Sequence, residues 1–569
     1  MARLRFYGGV GVIGSTKVLV EQDGWRVLLD MGDDIPGREG LVRPLLRYTP
    51  GTELRTRLRL DEAPPIDRLY RAEAVEGTGL EGGADGRTAL FLTHAHLDHV
   101  GLLGWVDPAM PAYAAEETVR MLDALESVGQ GLQGGRANVQ PLPAGEPLEF
   151  GPFTIERHPV DHDIPGASGY LVHTEDGVVA YPGDLRLHGR HPELTEAFAQ
   201  RARGAAALVM EGTSLSADPR LVLRTERDVE AAFGDAVART PGLVLVALYP
   251  RDIERVSAFA AVAASHGRTI LWPPAMAAFL RAYGLEDVAE LDAAALEQVQ
   301  RDPSRFVVQL DPRAFETLLD LPLGPGSVFL HANGEPLGAF QATWDLLQQW
   351  LARLQVPFTV IGTSGHATPH DLHRVAELVR PKVLFPVHTV EPFRFQPPPG
   401  TLRVVAEYGR WYEVDRARGA RRTTVCVDLD STLCDTSHRH HLVDEVRENT
   451  DWVAYSLACS DDARIEGTCR LVRLLAEHHR IVLVSSRDEQ ARALTEAWLA
   501  EHDVPFDELI LGGVDGAPAG LEDFKAHHVA ALIARGETVE LVIDDLRTLP
   551  EALEPLGVPV VTVRPPYGE

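Results

Sequence analysis

Three histidines and an aspartate fall within the six residues His94-Ala95-His96-Leu97-Asp98-His99, directly after Thr93 and the apolar run Ala89-Leu90-Phe91-Leu92. The run predicts a buried strand, and Val100-Gly101-Leu102-Leu103-Gly104-Trp105 continues with helix-like spacing. A fold that gathers these groups at the mouth of a strand must give each one a partner, because a buried unpaired polar group is costly. Imidazole and carboxylate together suit Zn²⁺ or Mn²⁺, and six or more protein ligands would hold two ions. The remaining ligands are expected further along, each at the end of its own strand. The candidates are His162 in Val160-Asp161-His162-Asp163-Ile164-Pro165, Asp184 after Gly177-Val178-Val179-Ala180, and His388 closing Val383-Leu384-Phe385-Pro386-Val387.

This order of motifs resembles the nucleolytic members of the metallo-β-lactamase superfamily. The resemblance implies His94, His96 and His162 on one metal, Asp98, His99 and His388 on the other, and Asp184 bridging. Asp98 and Asp184 then count with the catalytic groups. Two ions about 3.5–4 Å apart can activate a bridging water and clamp both reacting oxygens of a phosphodiester. Between Asp184 and His388 stand Leu208-Val209-Met210-Glu211-Gly212-Thr213, Asn333-Gly334-Glu335-Pro336-Leu337-Gly338 and Gly362-Thr363-Ser364-Gly365-His366-Ala367. With the opening Gly8-Gly9-Val10-Gly11-Val12-Ile13-Gly14 and Pro381-Lys382-Val383-Leu384, these are similar to the β-CASP nucleases of the ribonuclease J group, over roughly residues 1–412. Glu211, His366 and His388 match the group's motifs A, B and C. A histidine in motif C tilts the expectation towards RNA.

The residue types support those roles. A departing ribose oxyanion needs a proton, which an imidazole such as His366 can supply. A carboxylate behind it, Glu211, would fix its tautomer and keep it charged. Ser364 and Gly365 offer small, donor-rich backbone where a phosphate could approach. The implied fold is α/β: an αββα sandwich from 1–212 and 346–412 with a β-CASP domain inserted at 213–345. Nothing resembles the further C-terminal domain of ribonuclease J. Arg43, Arg47, Arg55, Arg57, Arg59, Arg68 and Arg71 lie close together before Thr93. They read either as a stripe tracking a phosphate backbone or as a solvated insertion, since Asp61, Glu62, Glu73 and Glu76 are interspersed.

A basic linker, 413–422, precedes a second centre. Thr424-Val425-Cys426-Val427-Asp428-Leu429-Asp430-Ser431-Thr432 is a β-run ending in Asp-x-Asp-x-Thr. Ser485 after Ile481-Val482-Leu483-Val484, Lys525, and Asp544-Asp545 after Leu541-Val542-Ile543 follow in order. The pattern resembles the haloacid dehalogenase phosphatases, with a Rossmann-like fold over 423–569. Asp428 can take a phosphoryl group, and Asp430 is placed to protonate the leaving oxygen and then deprotonate water. Ser485 and Lys525 would hold phosphoryl oxygens, and Mg²⁺ would offset the charge of Asp428, Asp430 and Asp544. Thr432 and Arg487 are expected on the substrate side. The chain has only three lysines, Lys17, Lys382 and Lys525, so one kept at an aspartate–phosphate site carries weight. Ser437-His438-Arg439-His440-His441, Asp451-Trp452 and Arg487-Asp488-Glu489 resemble the 3′-phosphatase half of phage-type polynucleotide kinase-phosphatases. The likeness weakens at Gly512-Gly513-Val514-Asp515-Gly516-Ala517-Pro518. No Walker-type Gly-x-x-x-x-Gly-Lys-Ser/Thr occurs, which excludes a kinase half.

A length of 569 residues predicts two to four domains. No apolar run is long enough to span a bilayer and no secretory signal is seen. The four cysteines, without Cys-x-x-Cys spacing, read as reduced thiols in a cytoplasmic protein. A net charge of −29 argues against tight non-specific duplex binding. It leaves room for single strands threaded into a metal-lined channel. The expectation is a bifunctional enzyme, with assembly into a homodimer left open, that hydrolyses RNA phosphodiesters and removes terminal phosphates. The alternatives are a single-stranded DNA nuclease in repair, and a nucleic-acid-binding scaffold with only the phosphatase active.

Overall fold

The computed structural model describes residues 1–33, 51–217, 223–311, 315–334, 344–414, 423–444, 446, 450–476, 479–512, 521–535 and 537–564. The chain forms two compact units, 1–417 and 418–569. Among the described residues no helix is long and apolar enough to cross a membrane.

The N-terminal unit is built on two seven-stranded sheets. In the first, Val18–Gln22 and Trp25–Leu29 form a hairpin whose two loop residues, Asp23 and Gly24, have φ of 52° and 78°. Positive φ at both positions is the turn that matches strand twist. Trp25–Leu29 then runs parallel to Thr88–Phe91. In the second sheet Gly177–Tyr181, Ala207–Glu211 and Val383–Val387 are parallel neighbours. Ala207–Glu211 and Val383–Val387 are buried throughout, as expected of parallel strands covered on both faces. The sheets face each other through Phe6 against Phe385, ring centroids 5.2 Å apart, and Phe91 against Tyr170 at 5.5 Å. Tyr170 satisfies its hydroxyl by donating to the Leu92 carbonyl at 2.8 Å. Outside the second sheet, Phe198, Leu372, Val375 and Ala376 of the helices Pro192–Arg201 and Pro369–Val379 pack on Leu171, Leu208 and Met210.

A third sheet of six parallel strands runs in the order Ala289–Glu290, Thr269–Trp272, Phe306–Gln309, Val244–Ala247, Val328–His331, Phe358–Val360. Apolar clusters cover both faces. Phe358–Val360 pairs here, and Leu347 and Leu351 of the helix Trp344–Arg353 join its core, so this domain extends beyond the boundary expected at 345.

A buried ionic network ties this domain to the sandwich. Arg186 pairs with Asp161 at 2.9 Å and with Glu226 at 2.7 Å, and Arg255 binds Glu226 and lies 3.4 Å from Asp252. Glu226 opens the helix Glu226–Arg239, and Asp252 caps Ile253–Ser265 by accepting from the Arg255 backbone N–H. Breaking a buried pair leaves an uncompensated charge, worth about 3–5 kcal/mol. Arg186→Ala is therefore expected to lower unfolding stability by about that amount. Urea titration of the intact chain measures it, and a loss below about 1 kcal/mol, the scale of an exposed pair, would mean that water reaches the network.

The proposed arginine stripe does not survive as a unit. Arg57 is buried and pairs with Asp33 and with Glu62 at 3.2 Å. Arg68 pairs with Glu81, and Arg71 donates to the carbonyls of Gly134 and Arg136. Those guanidinium groups hold the sandwich's own loops. Arg43 and Arg47 lie outside the described residues.

The C-terminal unit has a five-stranded parallel sheet in the order Glu508–Leu511, Arg480–Ser485, Thr424–Val427, Val539–Asp544, Val560–Thr562, with apolar clusters on both faces. Asp428, Ser485 and Asp544 stand at the carboxyl ends of three adjacent strands. In open α/β sheets that edge is where ligands bind.

Candidate active site

The carboxyl ends of Trp25–Leu29, Thr88–Phe91, Gly177–Tyr181, Ala207–Glu211 and Val383–Val387 converge, and each delivers a polar side chain to one place. Asp30, fully buried with φ +61°, follows the first of them. It accepts from the Thr93 backbone N–H at 2.7 Å, the Thr93 hydroxyl at 2.8 Å, the Tyr181 hydroxyl at 2.7 Å and His99 Nδ1 at 2.7 Å. The Thr93 hydroxyl, its proton thus committed, accepts from His94 Nδ1 at 2.9 Å. His162 Nδ1 donates to the Gly365 carbonyl at 2.6 Å, and His388 Nδ1 lies 2.8 Å from the Thr213 hydroxyl. With Nδ1 protonated, the Nε2 lone pairs of His94, His99 and His162 point inward. Fixing the tautomer this way is how proteins prepare metal-binding imidazoles.

Two histidine-rich groups result, and any two ligand atoms within a group lie within 4.8 Å: His94, His96 and His162, and Asp98, His99, Asp184 and His388; a third set, Asp184, Glu211 and His366, meets the same limit and shares Asp184. His94 Nε2 is 3.1 Å from His96 Nδ1, which is 3.3 Å from His162 Nε2. Three nitrogens about 2.0–2.1 Å from a tetrahedral ion stand roughly 3.3–3.4 Å apart, so the set fits one. In the second group Asp98 lies 3.0 Å from His388 Nε2. Asp184 Oδ2 is 3.1 Å from His99 Nε2, 3.6 Å from His388 Nε2 and 3.8 Å from His94 Nε2. His99 Nε2 and Asp184 Oδ2 are buried without a hydrogen-bond partner, which a cation between them would supply.

The electrostatics agree. Burial, with the neighbouring imidazoles, pushes His94 well below the ordinary value, and burial lowers His96 to about 4. Both are neutral at pH 7 and carry free lone pairs. Burial also opposes charge on His99, yet Asp184, Asp30 and Asp98 outweigh it and raise His99 well above the usual value. Those carboxylates would equally favour a divalent cation.

His366 sits beside this centre. Its Nδ1 is 3.1 Å from both oxygens of Glu211 and 3.9 Å from Asp184. Glu211 is fixed by the backbone N–H groups of Leu185 at 3.1 Å and Thr213 at 3.2 Å. Burial opposes the imidazolium, but Glu211 and Asp184 raise His366 to about 10. The Ser364 hydroxyl accepts from the His366 backbone N–H at 3.1 Å, so it shapes the turn that carries His366. A Cβ on Gly365 would lie 2.6 Å from the Asp163 carboxyl, so a side chain there would have to displace that carboxylate.

Asp30, Thr213 and Asp163 were not picked out in the sequence. Asp163 lies 3.3 Å from His162 Nε2 and 3.6 Å from His96 Nε2. The available signal for Asp30 is an aspartate closing a buried strand parallel to the one that delivers His94. Tyr249, with its ring 5.5 Å from that of His96, comes from the inserted domain, and no motif marks it.

In the C-terminal unit Asp428, Asp544 and Asp545 form a potential metal group. Lys525 Nζ lies 3.1 Å from Asp428 and 2.5 Å from Asp544, and the Thr432 hydroxyl donates to Asp428 at 3.3 Å. Burial, Asp544, Asp430 and Asp545 push Asp428 well up against the opposing Lys525, an excess of negative charge suited to Mg²⁺. The carboxylate of Asp430 does not join this group as expected. Arg439 at 2.6 Å and Arg487 at 2.5 Å hold it, and both also bind the buried Asp462. Despite burial, these guanidinium groups lower Asp430. Arg487 also donates its backbone N–H to the Ser485 hydroxyl at 3.3 Å. Arg439 and Asp462 are further residues whose roles the sequence alone did not single out.

Residues 72–242 match the family model described as Beta-lactamase superfamily domain, in keeping with the mixed α/β architecture around the histidine cluster. Among named proteins the chain is similar to ribonuclease J of Thermus thermophilus, 25% identical over 333 residues, 53% of this chain and 57% of that one. It is likewise similar to ribonuclease J of Mycolicibacterium smegmatis, 25% identical over 422 residues, 68% of each chain. The chain spans 57% of the length of the first two such relatives, from Thermus thermophilus and Sinorhizobium meliloti. A solved structure described as a protein of unknown function from Enterococcus faecalis V583 superposes with a TM-score of 0.62 at 29% identity, over 72% of this chain and 99% of that one.

Proposed function

We propose that the N-terminal unit hydrolyses phosphodiesters of single-stranded RNA with two divalent cations, Zn²⁺ or Mn²⁺. The observation that carries this reading is the pair of His/Asp groups meeting at Asp184, with the His366–Glu211 pair alongside. His94, His96 and His162 would hold one cation, Asp98, His99 and His388 the other, and Asp184 both. When bound, such cations supply Lewis acidity to the phosphate and activate water for attack. His366 then donates its proton to the departing ribose oxygen, and Glu211 stabilises the imidazolium before the transfer and fixes its orientation throughout. Ser364 and Gly365 form the turn that aims it. The ribonuclease J relatives favour RNA over DNA. Four buried free cysteines fit a reducing compartment such as the cytoplasm.

For the C-terminal unit the proposal is a haloacid dehalogenase-type phosphatase acting on terminal 3′-phosphates with Mg²⁺ held by Asp428, Asp544 and Asp545. Asp428 attacks phosphorus, its Oδ–P bond forms, the ester P–O bond breaks, and Asp430 gives its proton to the departing oxygen. Lys525, Ser485 and Thr432 would stabilise the phosphoryl oxygens. Water then attacks the aspartyl phosphate, gives its proton to Asp430 and restores Asp428. The two arginines on Asp430 hold it in place and favour its ionised form once that proton has gone.

End-labelled RNA and DNA bearing 5′-hydroxyl, 5′-phosphate or 3′-phosphate, incubated with Zn²⁺, Mn²⁺ or Mg²⁺, test both halves. Cleavage of RNA with Zn²⁺ or Mn²⁺ and release of inorganic phosphate from the 3′-phosphorylated strand with Mg²⁺ are expected. Preferential cleavage of DNA would overturn the first reading. Hydrolysis of a mononucleotide or sugar phosphate, with the 3′-phosphorylated strand untouched, would overturn the second.

A further inference from the structure

Phe393 is 66% exposed, the highest of any phenylalanine among the described residues. It does not stand alone. Val390, two residues beyond His388, and Leu97, next to Asp98, are also exposed, and Asp98 and His388 touch at 3.0 Å. Exposed apolar side chains therefore flank that contact from both segments that make it.

The segment carrying Phe393 is held in place. Arg403 donates to the carbonyls of Phe393 at 2.6 Å and Phe395 at 2.9 Å, and Phe395 is fully buried. The Arg403 guanidinium carbon lies 5.6 Å from the Phe393 ring centroid, which leaves the other face of the ring to solvent. Arg394, mostly exposed, reaches towards the carbonyls of Leu215 and Ser216, in the turn after Thr213. The platform is thus continuous with the backbone that positions His388 and Glu211. It offers one aromatic face beside Arg403 and Arg394, the latter 3.8 Å from the Glu391 carboxylate, on a chain of net charge −29.

We propose that Phe393 is a stacking platform for an unpaired base of a single-stranded nucleic acid whose backbone passes the metal-ligand cluster. The inference rests on that single-strand phosphodiesterase reading and adds the residue that holds an unpaired base beside the site. Aromatic faces bind bases of any sequence, and flanking arginines track the phosphates. Bases inside a duplex are already stacked and offer no free face.

The test uses the full chain, fluorescein-labelled single-stranded and duplex RNA, and bis(p-nitrophenyl) phosphate as a small phosphodiester. Phe393→Ala is expected to raise the Kd for the single strand roughly 5- to 100-fold, the range of one lost base–aromatic stack. Phe393→Tyr should restore most of that affinity, and hydrolysis of the small diester should be unchanged in both. An unaltered Kd in Phe393→Ala, or a Tyr variant as weak as the Ala variant, overturns the platform. So does conversion of a dimer to a monomer by Phe393→Ala with RNA affinity intact, which would assign the ring to a second copy of the chain. Failure of the parent chain to hydrolyse any diester strikes the phosphodiesterase reading instead, and the binding measurement still decides the role of Phe393.

Discussion

Asp184→Ala will remove divalent cations from the N-terminal unit and slow phosphodiester cleavage by roughly 10³-fold or more, since a cation pair supplies several kcal/mol to the transition state. One oxygen of Asp184 lies within 3.8 Å of the inward nitrogens of His94, His99 and His388, and among the described residues no other carboxylate lies within 4 Å of all three. Its loss leaves His94, His96 and His162 as a three-nitrogen set and deprives the second group of its most buried charge. Metal content per chain and cleavage of labelled RNA should fall together. Magnesium-dependent hydrolysis of an aryl phosphomonoester should stay unchanged, because Asp428, Asp544 and Lys525 lie in the other compact unit. Asp428→Asn should show the reverse pattern. A variant at Asp184 that keeps both its cations and its rate would remove the bridging role, and loss of both activities from either change would mean that the units depend on each other.

The sandwich and its histidine cluster are legible in the sequence for a physical reason. His94, His96, Asp98 and His99 crowd into one turn, and imidazoles and carboxylates at that density have few uses apart from metal binding. His162, Asp184 and His388 each follow a β-branched or apolar run, which marks the carboxyl end of a strand. What orients them is not legible. Asp30 acts through Thr93, His99 and Tyr181, which are brought to it by pairing of strands distant in sequence. A single aspartate in an Asp-Met-Gly turn gives no local sign of that.

Charge runs misled in the same way. Arg57, Arg68 and Arg71 read either as a phosphate-tracking stripe or as part of a solvated insertion, yet their partners, Asp33, Glu62, Glu81 and the carbonyls of Gly134 and Arg136, are supplied by the tertiary fold. In the C-terminal unit the Asp428–Asp430 spacing suggests two carboxylates on one ion. The backbone instead sends Asp430 to Arg439 and Arg487, while Asp545 completes the group with Asp544. The edge of the inserted domain was missed because Phe358–Val360 is a three-residue strand, too short for periodicity to reveal.

His366→Ala is expected to lower RNA turnover by roughly 10²–10⁴-fold with metal content unchanged, the span typical of a lost general acid. The imidazole lies 3.9 Å from Asp184 but is bonded to Glu211, so it is placed to move a proton without being needed to hold a cation. Glu211→Gln provides the finer test. Only protonated His366 can donate, so the rate must fall as pH rises through its pKa. Burial alone would press that pKa down, and Glu211 is the largest influence raising it. Removing the carboxylate should therefore move the alkaline limb of the pH–rate profile to lower pH, while the neutral amide still accepts from Nδ1 and keeps the ring aligned. The measurement is kcat against pH with saturating metal. Loss of metal from His366→Ala would make the residue a ligand, and an unshifted alkaline limb in Glu211→Gln would assign the departing proton to another group.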